Sequence, residues 1–584
     1  MLQYSRYYAN SDTYRKREKI MGKRYLKNNK LTERVFSEVN GIREFLDAIE
    51  VHEDKVAYMW SEHKQDKTLT YAEMCSWVRD IAAGLDKMGL AGKTIGIIGD
   101  TSPYWVCVYL AVLASNGIVV PLDKELAPSE VNGFLDTVDV SALFFSSSLK
   151  NTYDELVAYD ASRTYIVMGD ELEDCVSFMS VIESGKDNEE YVYPEQQDTE
   201  KLCEYLFTSG TTGSSKCVML CQKNIFSVVN AACSAVDFSS DDVMVSVLPI
   251  HHTYELAIML CELDYGMSIG INDSLRNVIS NFKKYQPTGL TLVPLFVNTV
   301  YKRIWSEAKR TGQEKKLRLA SSASDKLLRI GVDVRRKLFS KVLDSFGGKL
   351  NKIVCGGAAL NPQMVYDFES LGISIYEGYG ITECSPLVAV TPYNKRKAGS
   401  VGPAVSCCEI RIDGETVDEK GYVTGEIQVK GDNVMLGYYN NDEANAEVFT
   451  EDGWFRTGDI GHLDEDGYLF ITGRCKSVIV LENGKNVFPE EIEEYLENVP
   501  GIAECVVVGR KDTDGETVLL TAVIYPDLPY YEGKNVADMK KELAGHINDI
   551  NKKLPSFKHI RKVDLVDCEF EKTTSRKIKR HLVK

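Results

Sequence analysis

The chain has 584 residues, of which 44% are hydrophobic and 26% charged, with a formal net charge of −18. This length exceeds one ordinary hydrophobic core, so we expect a globular protein of two or more domains. The acidic balance disfavours a nucleic-acid partner, because binding to nucleic acid depends on Lys and Arg side chains that neutralise phosphates.

The first predicted element is a basic arm over residues 1–34, with ten Lys or Arg residues against three Asp or Glu. It lacks the apolar core of a signal peptide. Such an arm could contact anionic lipid at the inner face of a membrane, but its weak apolar periodicity favours a solvated arm. Fifteen cysteines without a Cys-x-x-Cys pair indicate reduced thiols and a cytoplasmic protein. Eight histidines without ligand spacing argue against a structural zinc site.

Residues 35–473 are predicted to form a large α/β domain with doubly wound sheets. Helical spacing over residues 71–88 precedes a buried strand at 93–99, and the alternation of helix and strand returns over residues 203–383. The longest apolar stretch, residues 104–120, contains Ser, Asn and Gly near its end. It therefore predicts a buried helix that enters a strand rather than a membrane span.

The pattern changes after residue 402. Between residues 402 and 470, short alternating runs with frequent glycines predict antiparallel strands in a small β-barrel subdomain. Residues 474–584 are predicted to form a small α+β cap domain. Within this cap we expect a helix that begins at Pro489, a helix over 536–554, and strands at 504–509, 517–525 and 561–566.

A loop rich in glycine and hydroxyl side chains lies within residues 206–216, which read LFTSGTTGSSK. Glycine lets the backbone curl closely around an anion, hydroxyl and backbone N–H groups donate hydrogen bonds, and Lys216 adds a positive charge. The spacing differs from the P-loop, in which the lysine directly follows the second glycine. Taken alone, the loop is as consistent with a surface Gly/Ser linker as with a polyphosphate site.

Four further motifs follow in order: YGITE at residues 379–383, WFRTGD at 454–459, GR at 473–474 and KTTSRKI at 572–578. Together with the loop they resemble the core motifs of the adenylate-forming (AMP-binding) superfamily, which comprises acyl-CoA synthetases, adenylation domains and beetle luciferases. The resemblance extends over nearly the whole chain. It is closest to bacterial long-chain fatty acyl-CoA synthetases, chiefly through VLENGKNVFPEEIE at residues 480–493.

This resemblance implies an adenylate-forming fold and an ATP-dependent acyl-CoA synthetase. A carboxylic acid, expected to be a medium- or long-chain fatty acid, would be activated as acyl-AMP with release of pyrophosphate. The acyl group would then pass to the thiol of CoA, so ATP, Mg²⁺ and CoA are the implied cofactors and cosubstrates. Because a carboxylate must approach an anionic phosphate, positioning and electrostatic stabilisation would supply most of the catalysis.

The resemblance also assigns site residues. Lys577 would bridge the attacking carboxylate and the α-phosphate, Thr382 would donate to that phosphate, and Glu383 would bind Mg²⁺. The cap domain would be mobile, with a hinge at 474–477 in which Lys476 is the hinge residue, and Gly484 would line the CoA channel. The nucleotide would be held by residues of the loop and the later motifs: Thr208, Ser209, Gly210, Thr211, Thr212, Gly213, Lys216, Gly356, Gly357, Ala358, Tyr379, Gly380, Thr382, Asp459 and Arg474.

His252 is the candidate gate of the carboxylate pocket, because residues 248–254 resemble the gating segment of the superfamily. The preceding His251 leaves the register open by one residue, and a buried core histidine is nearly as good an interpretation. Relatives that activate amino acids usually have an aspartate near this segment, which pairs with the substrate ammonium. None occurs between residues 248 and 254, which favours a simple carboxylic acid.

Two residues depart from the superfamily motifs, and two other functions stay open. Arg576 stands where the superfamily usually has glycine, and Ser215 stands where it usually has proline, so the conformation of both loops is open. The chain could instead be an acyl-AMP ligase that delivers its product to a phosphopantetheine. Only seven residues follow Lys577, too few for a carrier domain, so that phosphopantetheine would belong to a separate carrier protein. From another class, a non-catalytic nucleotide-binding or membrane-surface scaffold would use the same fold without turnover.

Overall fold

The computed structural model describes residues 24–27, 30–33, 36–173, 175–188, 190–195, 198–208, 215–274, 276–417, 421–481, 486–497, 499–512, 517–572 and 578–583. The chain divides into two compact units. The first comprises Met1–Gly210, Ser215–Glu409 and Lys430–Glu447, and the second comprises Thr211–Ser214, Ile410–Val429 and Val448–Lys584. The second unit groups most of the antiparallel strand region with the C-terminal region, and the division at 473/474 with its hinge stays a prediction.

The strands are numbered in chain order. The earlier ones are β1 Arg24–Lys27, β2 Lys30–Glu33, β3 Val56–Glu62, β4 Gln65–Thr70, β5 Thr94–Ile98, β6 Ile118–Leu122, β7 Ala142–Ser146, β8 Thr164–Met168, β9 Val176–Ser177, β10 Leu202–Thr208, β11 Lys216–Cys221, β12 Val243–Ser246, β13 Ser268–Ile271, β14 Gly289–Leu292, β15 Lys352–Gly356, β16 Ser374–Gly380 and β17 Leu387–Val390. The later ones are β18 Cys408–Val417, β19 Val423–Gly431, β20 Gly437–Tyr438, β21 Phe455–Leu463, β22 Leu469–Arg474, β23 Ile479–Val480, β24 Asn486–Val487, β25 Ile502–Lys511, β26 Val518–Pro526 and β27 Lys562–Leu565.

The α-helices alternate with these strands through most of the chain. They are Ile42–Glu50, Tyr71–Lys87, Pro103–Ala114, Pro128–Thr137, Lys150–Tyr159, Phe178–Lys186, Gln222–Ala235, Thr253–Asp264, Val278–Tyr285, Pro294–Arg310, Glu314–Arg329, Arg335–Leu338, Ser340–Leu343, Pro362–Leu371, Asp442–Val448, Pro489–Glu497 and Val536–Asn551. Short 3₁₀ helices occupy Ser147–Leu149, Asp344–Phe346, Thr382–Cys384, Cys475–Ser477, Ser556–Lys558 and Arg580–Leu582.

Two eight-stranded sheets build the first unit, with strand orders β20-β11-β10-β6-β5-β7-β8-β9 and β17-β16-β15-β14-β12-β13-β3-β4. Their centres are parallel: β6 pairs with β5 and β10, and β15 pairs with β14 and β16. Antiparallel pairs lie toward the edges, where β10 meets β11, β16 meets β17 and β3 meets β4. Crossover helices between parallel strands confirm the predicted doubly wound α/β architecture. A separate ladder joins β1 and β2 within the predicted arm.

The helix Pro103–Ala114 explains the longest apolar stretch of the sequence. The side chain of its N-cap residue, Ser102, accepts a hydrogen bond from the Trp105 N–H, and Pro103 lies in the first turn, where it removes no helical hydrogen bond. Eleven of its twelve residues are buried, and β6 follows it, as predicted. Across the described part of the chain, none of the helices combines the length and apolar character needed to cross a membrane.

The region after residue 402 contains the predicted antiparallel strands, but the described residues form no closed barrel, and this part of the prediction was wrong. β18, β19, β21 and β22 lie in that order in an open sheet, in which β21 pairs antiparallel with β19 and β22. Glycine permits close strand contact there, since a Cβ on Gly425 would lie 2.2 Å from the Asp413 carbonyl oxygen. Alternation and glycine predicted the strands, whereas closure depends on strand tilt and shear, which alternation does not encode.

The C-terminal region has the predicted α+β composition. β26 pairs antiparallel with β25 and parallel with β27, which confirms the three predicted strands. The two predicted helices are Pro489–Glu497 and Val536–Asn551, and their apolar faces pack on the sheet. The shared core contains aliphatic side chains from all these elements, including Ile492, Leu496, Val507, Leu520, Ile524, Leu543 and Ile547.

Candidate active site

The glycine-rich loop connects two paired strands of the first unit. β10 ends at Thr208 and β11 begins at Lys216, and these two residues are directly opposite each other in the antiparallel ladder. The Thr208 hydroxyl also donates a hydrogen bond to the Lys216 carbonyl oxygen at 3.3 Å. Both ends of the loop are thereby fixed together. The intervening residues named in the prediction, Ser209, Gly210, Thr211, Thr212 and Gly213, lie outside the described residues.

A tyrosine that the sequence did not single out joins the loop to the predicted metal ligand. The Lys216 Nζ lies 4.5 Å from the ring centroid of Tyr438, a cation–π distance. The Tyr438 hydroxyl donates a hydrogen bond of 2.8 Å to Oε1 of Glu383. Burial, with the adjacent Glu383 carboxylate, raises the pKa of Tyr438 well above its ordinary value, so the hydroxyl stays a donor. A cation, a tyrosine and a carboxylate therefore form one cluster.

Strand pairing explains how Tyr438 reaches this position. It lies on β20, which pairs with β11 through Val218 opposite Tyr438. A second backbone contact anchors the segment just before it, because the Met435 N–H donates to the Glu383 carbonyl oxygen at 2.9 Å. The only sequence signal was an aromatic residue that follows glycine in a short apolar run, which is too common to predict a role.

The predicted adenine wall comes from the carboxyl ends of two neighbouring parallel strands. Gly356 on β15 pairs with Gly378 on β16, and Tyr379 and Gly380 follow at the end of β16. Crevices at the carboxyl ends of parallel strands are the usual ligand sites of open α/β sheets. Gly357 has a φ of +91°, a conformation that favours glycine. Gly357 and the next residue, Ala358, are exposed.

Gly380 is required by packing rather than by backbone angle. A Cβ at this position would lie 2.1 Å from the Pro386 carbonyl oxygen, a distance that no real side chain occupies. The chain then enters the 3₁₀ helix Thr382–Cys384, so the half-buried Thr382 and Glu383 follow directly after the strand end. The motif YGITE thus continues from a sheet strand into a tight turn.

The predicted acyl gate lies at the start of a buried helix. His252 is the N-cap residue of the helix Thr253–Asp264, and its ring centroid is 4.3 Å from that of His251. The Nε2 of His251 lies 3.5 Å from Oδ2 of Asp123, and both side chains are nearly buried. The sequence window 248–254 contained no aspartate, yet the fold brings one to the neighbouring histidine. The gating role of His252 itself stays a prediction.

The predicted ribose contacts form a cross-strand pair in the second unit. Asp459 on β21 is directly opposite Arg474 on β22, and the Arg474 Nε lies 3.0 Å from Oδ1 of Asp459. The aspartate side chain is buried, whereas the arginine side chain is half exposed. Lys476 follows within the 3₁₀ helix Cys475–Ser477. Two residues fifteen positions apart in the sequence are therefore in direct contact, and their ribose role stays a prediction.

Lys577 and Gly484 lie outside the described residues, but the chain on each side of Lys577 is held firmly. Lys572 and Ile578 form an isolated antiparallel bridge. Beyond it, the Lys579 N–H donates to the Glu571 carbonyl oxygen at 2.8 Å. The described residues on the two sides of 573–577 are thus paired with each other, and the role of Lys577 stays a prediction.

An arginine close after that segment is tied to a buried carboxylate. Arg580 forms ion pairs with Glu490 and Glu493 on the helix Pro489–Glu497. Burial raises the pKa of Glu493 to about 7, despite the attraction of Arg580 and a hydrogen bond from the Val507 N–H. No sequence pattern predicts this support, since a single arginine in a basic tail carries no signal of its partner.

The described residues were also searched for metal-binding groups and for cavities near the predicted site. Within the described ranges, no group of three or more His, Cys, Asp or Glu side chains could hold a metal ion. A cavity of about 590 Å³ lies beside Trp60, Trp77 and Tyr104, and a second of about 450 Å³ lies beside Phe557 and Arg561. Neither is lined by a predicted site residue, so these cavities do not identify the acyl pocket.

Two known protein families match this chain, one over its larger N-terminal part and one over its C-terminal part. The family described as AMP-binding enzyme matches residues 45–439, and the family described as AMP-binding enzyme C-terminal domain matches residues 491–577. A long-chain-fatty-acid–CoA ligase, FadD15 of Mycobacterium bovis, is 28% identical over 91% of this chain and 95% of its own length. The human long-chain-fatty-acid–CoA ligase 1 is 30% identical over 79% of this chain and 70% of its own length.

Solved structures share the fold. ATP-bound MatB from Rhodopseudomonas palustris has a TM-score of 0.72 at 24% identity, covering 93% of this chain and 98% of its own. The anthranilate CoA ligase AuaEII in complex with anthranoyl-AMP has a TM-score of 0.75 at 19% identity, covering 94% and 97%. The ordered motifs, the two family matches and the adenylate-forming fold agree, and the chain belongs to the AMP-binding enzyme family.

Proposed function

We propose that this protein is an ATP-dependent acyl-CoA synthetase that acts on a long-chain fatty acid. The observation that carries the proposal is the cluster of Lys216, Tyr438 and Glu383 at the base of the glycine-rich loop. A cation suited to phosphate and a carboxylate suited to a metal ion both contact the same side chain, that of Tyr438. The relatives named as long-chain-fatty-acid–CoA ligases support the substrate class.

In the first half-reaction, a carboxylate oxygen of the fatty acid attacks the α-phosphorus of ATP. A new P–O bond forms, the bond to the β-phosphate oxygen breaks, and pyrophosphate leaves. Lys216, Thr208 and the hydroxyl-rich loop hold the β- and γ-phosphates, and Thr382 donates to the α-phosphate. Lys577 offsets the negative charge that builds up between nucleophile and phosphate, which is an electrostatic role that needs no proton transfer.

Asp459 and Arg474 are proposed to hold the ribose. A buried carboxylate is a strong acceptor for two hydroxyl donors, and its ion pair with Arg474 orients it. Tyr379 stacks on the adenine opposite Gly356, Gly357 and Ala358. Glycine on that side allows the base to lie directly against the backbone.

The residues present fit a bound Mg²⁺. Glu383 offers a half-buried carboxylate oriented by Tyr438, and no described Lys or Arg forms an ion pair with it. Mg²⁺ typically takes one or two protein carboxylates plus substrate phosphate oxygens and waters, so a single ligand suffices and a cluster of three is not needed. When bound, the ion would neutralise phosphate charge and so favour departure of pyrophosphate.

In the second half-reaction, the thiol of CoA attacks the carbonyl carbon of the acyl-adenylate. A C–S bond forms, the C–O bond to AMP breaks, and the thiol proton is lost to solvent. We propose that the cap domain, residues 474–584, rotates at Lys476 between the half-reactions and opens a channel near Gly484. His252 is proposed to separate the carboxylate pocket from the nucleotide.

A substrate panel tests the reaction class. Acids from acetate to long-chain fatty acids are supplied with ATP, Mg²⁺ and CoA, and both AMP and pyrophosphate are measured. We expect both products in equal amounts, with the highest kcat/KM for long chains. Release of ADP, or no response to any acid, would refute the proposed activity and leave the non-catalytic scaffold as the better interpretation.

The thiol acceptor is tested separately. With a long-chain acid fixed, free CoA is compared with a phosphopantetheine-bearing carrier protein, and the thioester product is measured by mass spectrometry. We expect thioester on CoA and propose a cytoplasmic location, where CoA and ATP are available. Thioester on the carrier alone would identify an acyl-AMP ligase. Binding of the intact chain to anionic vesicles, lost when residues 1–34 are removed, would assign the basic arm to a membrane surface.

A further inference from the structure

One segment of the first unit reverses the charge of the chain. Residues 302–341 contain thirteen Lys or Arg against four Asp or Glu, a local net charge of +9, whereas the whole chain has a net charge of −18. The segment begins within the helix Pro294–Arg310 and includes the helices Glu314–Arg329 and Arg335–Leu338. It contains none of the predicted site residues, so the proposed reaction does not explain this concentration of positive charge.

The helix Glu314–Arg329 presents an apolar stripe to solvent. The stripe has the i, i+4, i+8 and i+11 spacing of a single helix face and consists of Leu319, Ala323, Leu327 and the C-cap residue Ile330. All four residues are exposed, Leu319 at 71% and Ile330 at 74%. A helix of a globular protein normally turns such a face toward the core, so its exposure here marks an interaction surface rather than a requirement of folding.

Other contacts fix this helix to the protein. Ser324 is buried and Leu317 is half-buried, and by helical spacing both lie on the side away from the apolar stripe. The Arg318 guanidinium lies 4.4 Å from the ring centroid of Trp305, which belongs to the helix Pro294–Arg310. The helix is therefore held in place without its apolar stripe, which stays available to a partner outside the chain.

Lysines border the apolar stripe. Lys315 and Lys316 lie one turn before Leu319, Lys326 precedes Leu327, and all three lysines are exposed. Three of the four acidic residues of the segment pair with arginine instead: Glu307 with Arg310, Glu314 with Arg318 and Asp333 with Arg335. The lysines therefore place positive charge directly beside exposed aliphatic side chains.

We propose that the helix Glu314–Arg329 lies on the surface of an anionic lipid bilayer, with the apolar stripe in the headgroup region and the lysines beside the anionic headgroups. An apolar face bordered by Lys and Arg is the pattern of helices that lie in a membrane interface, and anionic lipid attracts such lysines. A protein partner fits less well, because protein interfaces are enriched in aromatic residues and Met and depleted in Lys. Residues 314–332 contain three Lys and no aromatic residue or Met.

The charge of the remaining chain gives this contact an orientation. An anionic bilayer attracts residues 302–341 and on average repels the rest of the chain, which is acidic. The basic arm over residues 1–34 is a second cationic segment, but its weak apolar periodicity supplies no stripe to insert. Long-chain fatty acids partition into bilayers, so a bound enzyme would meet its substrate there. This consequence rests on the proposed function, whereas the bilayer contact itself does not.

Binding is measured on the full-length chain without reference to activity. Vesicles of phosphatidylserine and phosphatidylcholine in equal parts, and vesicles of phosphatidylcholine alone, are sedimented with the protein to obtain Kd. We expect binding to the mixed vesicles only, weakened by salt. A variant with Lys315→Gln, Lys316→Gln and Lys326→Gln should bind about 100-fold more weakly, since each lysine near an anionic surface contributes about fivefold. Leu319→Ser with Ile330→Ser should weaken binding by about tenfold or more, because the inserted aliphatic groups leave water.

A matched variant controls for the general loss of charge. Lys540→Gln, Lys541→Gln and Lys553→Gln remove three exposed lysines from the C-terminal region and should leave Kd unchanged. Every substituted side chain is exposed, so thermal unfolding of all variants should match that of the parent. Sedimentation velocity without lipid tests a second copy of the chain as the occupant. A dimer that Leu319→Ser with Ile330→Ser abolishes would overturn the proposal.

Three vesicle results would also overturn it. The first is no binding to the mixed vesicles. The second is unchanged binding by the lysine variant, which would point to the basic arm. The third is unchanged binding by Leu319→Ser with Ile330→Ser, which would mean that the apolar stripe does not insert. The proposed function is tested apart, by ATP–pyrophosphate exchange with a long-chain acid delivered on albumin. All variants should exchange at the parent rate, and a parent without exchange would refute the proposed function but not the bilayer contact.

Discussion

Substitution of Tyr438 by phenylalanine removes one hydroxyl from the candidate active site and little else. The ring stays, so the 4.5 Å contact with the Lys216 Nζ is kept. The lost interaction is the 2.8 Å hydrogen bond to Oε1 of Glu383. A hydrogen bond to a charged group is worth about 1.5–3 kcal/mol. Loss of a residue that orients a metal ligand typically costs about 10–100-fold, which corresponds to about 1.4–2.8 kcal/mol, so the two estimates agree.

The assay is the initial rate of AMP formation at saturating ATP, fatty acid and CoA, titrated with Mg²⁺. Tyr438→Phe should raise the half-saturating Mg²⁺ concentration, lower kcat, or both, and the product of the two changes should be about 10–100-fold. The ratio of variant to parent should be flat across neutral pH, because the raised pKa of Tyr438 keeps it protonated throughout. Tyr301→Phe is the matched control, since Tyr301 also donates to a carboxylate, that of Asp367, which is not a predicted site residue.

Three results would refute this reasoning. An unchanged Mg²⁺ titration with unchanged kcat would mean that the orientation of Glu383 does not matter to the reaction. An equal loss in Tyr301→Phe would mean that the effect reflects folding rather than the site. A lowered kcat that depends steeply on pH would also contradict it, because the lost donor does not titrate in that range.

Three further changes test other parts of the structure. Lys577→Ala should lower carboxylate-dependent ATP–pyrophosphate exchange by about 10²–10³, whereas thioester formation from supplied acyl-AMP continues, because only the first step needs this charge. Gly380→Ala should lower the unfolding free energy by about 1–3 kcal/mol, since its Cβ would lie 2.1 Å from the Pro386 carbonyl oxygen. Lys352→Met should cost about 3–5 kcal/mol at neutral pH, because it leaves Asp242 buried without its 2.9 Å ion pair.

The pH dependence of Lys352→Met has a definite sign. Burial alone would raise the pKa of Asp242, but attraction to Lys352 and hydrogen bonds from Lys352, Thr288 and the Ser239 N–H together outweigh burial, and the pKa is lowered. The stabilisation is therefore present above the unfolded aspartate pKa of about 3.9 and is lost as pH falls through the lower folded value. In calorimetric unfolding, the difference in unfolding free energy between parent and variant should narrow in acid, and a constant difference would contradict this assignment.

Equal loss of both half-reactions in Lys577→Ala would contradict the predicted role of that lysine. Normal stability in Gly380→Ala would contradict the packing constraint at that glycine.

Much of the fold could be predicted from the sequence because its local patterns agree with its global topology. The helix Pro103–Ala114 combines an N-cap serine, a first-turn proline and apolar residues on all sides, which together permit only a buried helix. The predicted bounds of the three strands in the C-terminal sheet agree with the observed bounds to within two residues, since each strand is a short alternating or apolar run between turns. The barrel could not be predicted reliably, because closure is a property of the whole sheet rather than of any strand.

The site divides in the same way. Motifs that lie within one turn or one strand end, such as residues 379–383, were predictable because the chemistry and the backbone constraint occupy the same few residues. Contacts that join distant segments were not. Asp123 is 128 positions from His251, and Tyr438 is 55 positions from Glu383, yet each pair is in contact. No single-sequence pattern encodes a partner at that distance.

Residues with a direct chemical role are therefore easier to predict from sequence than the residues that hold them in place. An anionic reaction requires lysine, threonine, aspartate and glutamate, and these stand out in motifs. Their supports are an ordinary tyrosine at 438 and an ordinary glutamate at 493 that pairs with Arg580. Because electrostatic catalysis depends on fixed orientation, substitutions at such supports should lower activity much as substitutions of the charged residues do.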